Sequence, residues 1–260
     1  MKGKYFYLVH VQYLGFRFHG WAKQPGLKTV HHMIDRTIRY VLGKETIFKT
    51  LGCSRTDAMV SANHSIFELF LQEPLMVERF FTELNANLPA DIRATRIEET
   101  DSTFNIIQAA KIKEYHYLFT FGEKPHPFSA AVMTYFPWQL DIELMKRGAA
   151  LFEGTHDLRK YCTRPGDKTL LQRTVDRSSI VENDRYTANF FPENSFIYYV
   201  NGRGFMRHQI RLMMAQLVNL GRGIITFDQL RTSIYEPDDI PLETIAPASG
   251  LILHRISFDQ

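Results

Sequence analysis

The strongest chemical candidate in the sequence is the segment Arg55-Thr56-Asp57-Ala58, which follows an apolar stretch predicted to be a strand. A carboxylate at a strand end with a cation two residues away is favoured in its charged form. Such a carboxylate can act as a nucleophile at a carbon centre. A Thr-Asp pair is also typical of turns and caps, where these side chains only bond to the backbone. From these residues alone, both interpretations stay open.

Other chemistries find little support in the sequence. Cys53 and Cys162 are the only cysteines, too few for a disulfide framework or a cysteine-built zinc site, and they favour a reducing, cytoplasmic setting. The adjacent His31 and His32 point in different directions on a helix, and no second ligand pair stands at zinc-like spacing. No dinucleotide, phosphate-loop or nucleophile-elbow motif is complete. We therefore expect no metal and no cofactor. The apolar runs fall short of the roughly 20 residues of a membrane span, so we expect none.

The elements that must position Asp57 are predicted from apolar spacing. Residues 1–102 are expected to form one α+β lobe in the β-α-β-β-α-β order of a split, ferredoxin-like unit. Residues 103–260 are expected to repeat this order loosely in a second lobe. The two lobes are predicted to share a mixed, largely antiparallel central sheet, with helices on one side and the active-site cleft between the lobes.

The predicted elements have these bounds. Strands are expected at 5–13, 47–51, 65–71, 92–97, 111–121, 174–181, 196–200 and 251–258, and helices at 30–42, 77–84, 142–153 and 205–220. Thr29 is the predicted N-cap of the first helix and Gly43 its end. Asp57 then lies in a short connection between two strands.

The net charge of +3 hides an uneven partition. Residues 1–60 carry ten Lys/Arg and three Asp/Glu, a net of +7, whereas residues 61–101 carry three and eight, a net of −5. Residues 203–222 contain four arginines and no acid. Such a partition is typical of a face that binds a polyanion. Scattered, solvated charge is the alternative interpretation.

Eight segments resemble motifs of one enzyme family, in the family's order. They are Tyr13-Leu14-Gly15, His19-Gly20-Trp21-Ala22-Lys23-Gln24, Thr29-Val30-His31, Arg55-Thr56-Asp57-Ala58, the run LNANLPADI at 84–92, Glu114-Tyr115-His116-Tyr117, the run GFMRHQIR at 204–211, and Ser249-Gly250-Leu251. The family is the TruA family of tRNA pseudouridine synthases, and the resemblance spans nearly the whole chain.

The resemblance implies an isomerase that converts uridine to pseudouridine in the anticodon arm of tRNA, without a cofactor and as a cytoplasmic homodimer. It implies that Asp57 is the catalytic carboxylate, that Arg211 pairs with it, and that Tyr115 stacks on the target uracil. Leu251 would pack on the other side of the ring. Two alternatives remain: an RNA-binding module of this fold without turnover, and a synthase with a different RNA target. A hydrolase acting on a small nucleoside is a third, weaker interpretation.

Further substrate contacts are expected from the basic and aromatic loop near residues 15–28 and from the matching motifs. The expected contacts are Arg17, His19, Trp21, Lys23, Gln24, Arg55, Tyr117, Arg207 and Leu251. Packing is the alternative for Trp21, because tryptophan is often largely buried, and for the two tyrosines, which share one strand face.

The sequence also departs from the family motifs. Ser54 and Met59 stand where the family has glycine on either side of the Arg-Thr-Asp-Ala segment, and Asn105 to Ile107 replace a stretch with a histidine and an arginine. Because Asp57, Tyr115 and Arg211 are retained, these departures bear on the RNA target more than on the reaction.

Overall fold

A computed structural model describes residues 4–258 of the chain. Two compact units make up this part: one contains residues 4–111 and 253–258, and the other contains Ile112–Ile252. The first unit thus includes most of the final strand, whereas the predicted boundary between the lobes lies after residue 102. The division into lobes stays a prediction.

The first unit has the predicted β-α-β-β-α-β order. Its elements are β1 (Tyr5–Tyr13), α1 (Val30–Leu42), β2 (Phe48–Gly52), β3 (Ser61–Leu71), α2 (Val77–Asn87), β4 (Ile92–Thr100) and the short α3 (Ile106–Ala109). β1 lies between β3 and β4 and is antiparallel to both. β2 pairs antiparallel with the end of β3, and the final strand β11 (Leu251–Phe258) lies next to β3 as well.

Local sequence explains these elements. The alternating Tyr7, Val9, Val11 and Tyr13 of β1 are all buried, as expected for a strand with an apolar face. The Thr29 side chain accepts a hydrogen bond from the His32 backbone N–H, which caps α1. The helix is followed by a glycine at a positive φ of 91°, a conformation in which glycine has no steric cost.

The second unit is also α+β. Its elements are β5 (Ala110–Phe121), β6 (Thr134–Phe136), α4 (Ile142–Ala150), β7 (Gly154–Asp157), β8 (Gln172–Val175), β9 (Arg177–Glu182), β10 (Phe196–Gly202), α5 (Gln209–Gly221) and α6 (Phe227–Tyr235). β10 lies between β5 and β9, antiparallel to both, and β6 runs parallel to β5. β7 and β8 form a separate two-stranded hairpin.

The predicted α+β class with largely antiparallel strands is confirmed. The placement of helices on one side and the cleft between the lobes stay predictions. Among residues 4–258, no helix combines the length and the apolar character that crossing a membrane requires.

Two predicted elements differ clearly from the structure, and one observed helix is not among the predicted elements. The helix predicted from Phe205 begins at Gln209, because His208 has a left-handed φ of 60° and Gln209 closes a turn back to Met206. The strand predicted at 174–181 is two strands, since the Asp176 N–H bonds to the Asn201 carbonyl between them. α6 was not predicted, although its capping box, Thr226 with Gln229, is visible in the sequence.

Candidate active site

Asp57 lies in the connection between β2 and β3, within the first unit. Its side chain is half-buried, and Arg55 beside it is exposed. The backbone on both sides is held in place: the Trp21 N–H donates to the Thr56 carbonyl at 3.1 Å, and the Met59 N–H donates to the Phe18 carbonyl at 3.0 Å. The segment that carries the carboxylate is therefore fixed by the loop that follows β1.

Two glycines allow this close approach. Gly20 has a φ of +84°, and a Cβ there would lie 2.5 Å from the Thr56 carbonyl oxygen. At Gly52 a Cβ would lie 2.3 Å from Nε1 of Trp21. Side chains at these positions would push the loop away from the Asp57 segment, so the sequence must have glycine here.

A buried hydroxyl pair supports the same segment. The Tyr13 hydroxyl lies 2.9 Å from Oγ1 of Thr56, and both residues are buried. In the sequence, Thr56 is distinguished only as part of the motif. The structure gives it a role in orienting the backbone next to Asp57, because a buried hydroxyl needs a hydrogen-bond partner.

Trp21 is part of the core of the first unit. Its exposed fraction is 2%, and its ring packs on His31 at 5.5 Å, on Tyr13 at 5.9 Å and on Phe67 at 6.5 Å. These contacts favour the packing alternative for Trp21. Its predicted contact with RNA stays a prediction.

The other predicted residues of this loop lie at the surface. Arg17 pairs with Asp91 at 2.7 Å while 62% of its side chain stays exposed. Lys23 pairs with Asp35, and the Gln24 side-chain amide donates to the His19 carbonyl. The exposed loop is therefore basic, and its own contacts hold its side chains in position.

The run at residues 84–92 holds the loop that follows β1 in place. The Asn85 side chain bonds to both backbone groups of Ala94, at 2.8 and 3.0 Å, which fixes the start of β4. Asp91 binds the Arg17 side chain, and its carbonyl accepts from the Leu14 N–H. The motif that signals the family thus positions the loop after β1.

The second unit holds Tyr115 and Tyr117, on one face of β5. Tyr115 is 7% exposed and packs edge-to-face on Phe205 at 5.4 Å. Tyr117 is fully buried; its hydroxyl donates to the Pro247 carbonyl at 2.7 Å and bonds to the Thr134 hydroxyl at 3.0 Å. Burial raises the pKa of Tyr117 well above its usual range. This environment favours packing for Tyr117, whose substrate contact stays a prediction.

One segment, residues 246–251, links the remaining predicted residues of the second unit. The Arg211 Nε donates to the Ala246 carbonyl at 2.7 Å, and the Ala246 N–H donates back to the Arg211 carbonyl. The Leu118 N–H donates to the Gly250 carbonyl at 2.8 Å. Leu251, 6% exposed, follows directly. The structure thus connects the tyrosine strand, the arginine helix and Leu251.

The predicted pairing of Asp57 with Arg211 would join the two units and stays a prediction. Arg207 is exposed at the start of α5, where its carbonyl accepts from the Thr163 N–H at 3.2 Å. Phe205, the ring that packs on Tyr115, was not predicted as a site residue. Phe205 lies between the segments Gly202-Arg203-Gly204 and Gly221-Arg222-Gly223. Nothing in this context distinguishes it from an aromatic residue of the core.

Comparison with known proteins indicates the family that this chain resembles. The family model described as tRNA pseudouridine synthase matches residues 149–259. A protein of Geobacillus sp. (strain WCH70) named tRNA pseudouridine synthase A is 28% identical over 96% of this chain and 97% of its own length. A protein of the same name from Pseudothermotoga lettingae is 29% identical over 97% and 99%. These matches, over nearly the whole chain, support a pseudouridine synthase of the TruA family, which is an isomerase.

A solved structure gives a weaker match to this synthase. A chain of the structure titled "Crystal Structure of a Cbf5-Nop10-Gar1 Complex" aligns with a TM-score of 0.35 and 15% identity, over 82% of this chain and 44% of that one. A likeness of this size supports no conclusion about function.

Among the departures from the family motif, Met59 has the clearest consequence for backbone conformation. Its φ of 67° is left-handed, a conformation that glycine adopts freely and other residues adopt at a cost. The glycine of the family motif at this position suits that conformation. In this synthase the residue is a methionine, 36% exposed, and its backbone still has the left-handed conformation. Ser54, the other replacement of a motif glycine, is buried at 7% exposure.

Proposed function

We propose that this synthase converts uridine to pseudouridine in the anticodon arm of tRNA, with Asp57 as its catalytic carboxylate. The reaction breaks the bond between uracil N1 and the sugar C1′ and forms a bond from C5 to C1′. N1 gains a proton and C5 loses one, so no oxidant, reductant or transferred group is required. The observation that carries the proposal is a carboxylate at the surface of a backbone segment fixed on both sides.

The other residues take supporting roles in this proposal. Tyr115 stacks on the uracil and Leu251 packs on its other face, which limits diffusion of the detached base while it turns. Base–aromatic stacking contributes about 1–3 kcal/mol. Arg211 orients the Asp57 carboxylate through a charge-assisted hydrogen bond. Asp57 attacks C1′ or abstracts a proton that starts the cleavage; both routes need a carboxylate at this position.

RNA binding in the proposal rests on the basic loop after β1. Arg17, His19, Lys23 and Gln24 are exposed on this loop, and Arg55 is exposed next to Asp57. A target base within a stem must be extruded before the enzyme can act on it. Phosphate and 2′-hydroxyl contacts from such a loop hold the RNA while the base is out of its stack. We further propose a cytoplasmic homodimer, in keeping with the family resemblance.

The decisive experiment compares Asp57→Asn with the unmodified protein. Transcribed tRNA carrying tritium at uracil C5 releases the label when the new bond to C5 forms. We expect Asp57→Asn to slow release at least about a thousandfold, because the variant lacks the carboxylate. Asp101→Asn, an exposed position in the same unit, is the matched control and should keep the full rate.

Other outcomes would contradict parts of the proposal. Tritium release that persists undiminished in Asp57→Asn refutes the catalytic assignment. Salt-sensitive tRNA binding without any product would instead indicate the RNA-binding module without turnover. Product mapped outside the anticodon arm would refute the proposed target while leaving the reaction in place.

A further inference from the structure

Arg173, on β8 of the second unit, has a guanidinium that the surrounding protein does not satisfy. Its Nε atom is buried and has no hydrogen-bond partner among residues 4–258. A buried donor without a partner is costly, and arginine presents five donors in a fixed fork. Other arginines of this unit are engaged: Arg159 pairs with Asp157 and Asp239, and Arg222 stacks on Trp138 at 3.6 Å.

The neighbours of Arg173 are themselves basic. Its Nη1 lies 3.9 Å from the position of a Cβ on Gly204. Burial raises the pKa of the Cys162 thiol, and the positive charges of Arg173 and Arg207 act against this rise. Both arginines therefore act electrostatically on the same buried thiol. Arg173 lies on β8 and Arg207 lies just before α5, so the positive charge comes from two separate elements.

The connection between β7 and β8 carries a further exposed cation. The loop between β7 and β8 is tied to the start of α5: the Thr163 N–H donates to the Arg207 carbonyl, and the Thr163 hydroxyl lies 2.8 Å from Nδ1 of His208. Arg164 follows Thr163 with a left-handed φ of 49° and is exposed. We define the basic cluster as Arg164, Arg173, Arg203 and Arg207.

No carboxylate neutralises the basic cluster. In the part of the chain that the structure describes, none of its four arginines forms an ion pair with an aspartate or glutamate. Like charges held together without counter-charges repel, so a fold keeps such a group most readily where an anion binds.

The basic cluster is adjacent to the ring that packs on Tyr115. Phe205 follows Gly204 directly and lies two residues after Arg203, and it contacts Tyr115 edge-to-face. A ligand that stacks on Tyr115 would therefore present its neighbouring groups to these arginines. In an RNA strand, the groups next to a base are the phosphodiesters of its backbone.

We propose that Arg173, supported by the basic cluster, binds a backbone phosphate next to the target uridine. A guanidinium fork matches two phosphate oxygens, and the two Nη groups of Arg173 are the donors that can reach a phosphate, because its Nε is buried. Phosphate contacts fix the position of a strand and carry no sequence information. Arg173 is thus a positioning residue for the flipped nucleotide. This inference rests on the proposed function, because it requires RNA at the tyrosine site.

The test measures tRNA binding over a series of salt concentrations for Arg173→Gln and Arg173→Lys. Loss of one phosphate contact should reduce the slope of log Kobs against log salt by about 0.9. Binding by Arg173→Gln should weaken about tenfold, as expected for a hydrogen bond to a charged group. Arg173→Lys should keep the slope but recover only part of the affinity, because it lacks the fork. Lys146→Gln, on α4, is the control for charge alone.

A second measurement identifies the phosphate. Methylphosphonate replaces one charged phosphate at a time on either side of the target uridine. At the contacted position it should weaken binding by the unmodified protein and should have no further effect on Arg173→Gln. KM should rise about tenfold in Arg173→Gln while kcat is kept, a division that a merely structural defect would not produce.

Specific results would overturn the inference. An unchanged salt slope in Arg173→Gln refutes it, and so does a methylphosphonate effect of equal size in variant and unmodified protein. If Arg173→Gln fails to fold by circular dichroism, the affinity of Arg173→Lys decides: binding as tight as that of the unmodified protein refutes the inference. Failure of the proposed function is distinguishable, since the unmodified protein would then give no tritium release; failure of the inference alone leaves that release intact.

Discussion

Replacing Gly20 by alanine tests whether the loop after β1 positions Asp57. Gly20 has a φ of +84°, and the new Cβ would meet the Thr56 carbonyl oxygen at 2.5 Å and the Asp57 carbonyl carbon at 3.0 Å. Both contacts are with backbone, so the loop or the Asp57 segment must move. Gly26 is the matched control, because its φ is +73° but nothing lies within 4 Å of a Cβ there.

The magnitudes follow from these two positions. Each alanine costs about 1–2 kcal/mol for its left-handed conformation. Each regains about 0.4–1 kcal/mol, because alanine reduces the entropy of the unfolded chain. Gly20→Ala bears a further 1–3 kcal/mol or so for overpacking, which Gly26→Ala does not. We therefore expect Gly20→Ala to lower the free energy of unfolding by about 1–3 kcal/mol more than its control.

Thermal melting and tritium release provide the assay. For a chain of this length the difference corresponds to a melting temperature lower by roughly 2–12 °C in Gly20→Ala. Displacing the carboxylate by about 1 Å should also reduce kcat as much as a hundredfold. Gly26→Ala should keep nearly full kcat. Equal stability and equal kcat in the two variants would refute the reasoning that this contact sets the position of Asp57.

Two further predictions concern buried groups. Tyr117→Phe leaves the Pro247 carbonyl without its donor and should lower the free energy of unfolding by about 1–3 kcal/mol. Urea denaturation measures this free energy. It should change little in the control Tyr235→Phe, because the ring of Tyr235 is half-exposed. Burial and the nearby His10 lower the pKa of His64 to about 4. The unfolded chain binds this proton near the ordinary pKa of about 6.5, so stability present above that pH is lost as pH falls toward 4. Between pH 7 and pH 5, the loss in free energy of unfolding, measured by urea denaturation, should be about 1–2 kcal/mol smaller in His64→Gln than in the unmodified protein. An unchanged dependence of this free energy on pH would contradict the prediction.

Much of the first unit could be predicted from sequence because its signals are local. The alternation from Tyr5 to Tyr13 gives β1 with its observed bounds, and the Thr29 cap and Gly43 give α1. The start of α5 could not be predicted in this way. Apolar spacing continues back to Phe205, but the left-handed His208 interrupts the helix, and no local preference of histidine requires that conformation.

The residue types of the candidate site could be predicted from the sequence, but the contacts that hold these residues in place could not. The motif predicts Asp57, whereas the hydrogen bonds that hold its backbone segment come from Trp21 and Phe18, far away in sequence. Arg173 was missed because a single arginine on a short strand has no distinguishing pattern. Its importance depends on an unsatisfied donor, which only the packed structure reveals.

The segment from residue 246 to 258 has a consequence for the order in which the protein forms during synthesis. It supplies the carbonyls that hold Arg211 and Tyr117 in the second unit, and its strand lies next to β3 in the first. A ribosome completes residues 4–245 before this segment appears, and domains fold as units while the chain emerges. Until then both units lack contacts that they have when folded. A nascent chain that already contains Asp57, Tyr115 and Arg211 thus still lacks the carbonyls that hold Arg211 and Tyr117 in place.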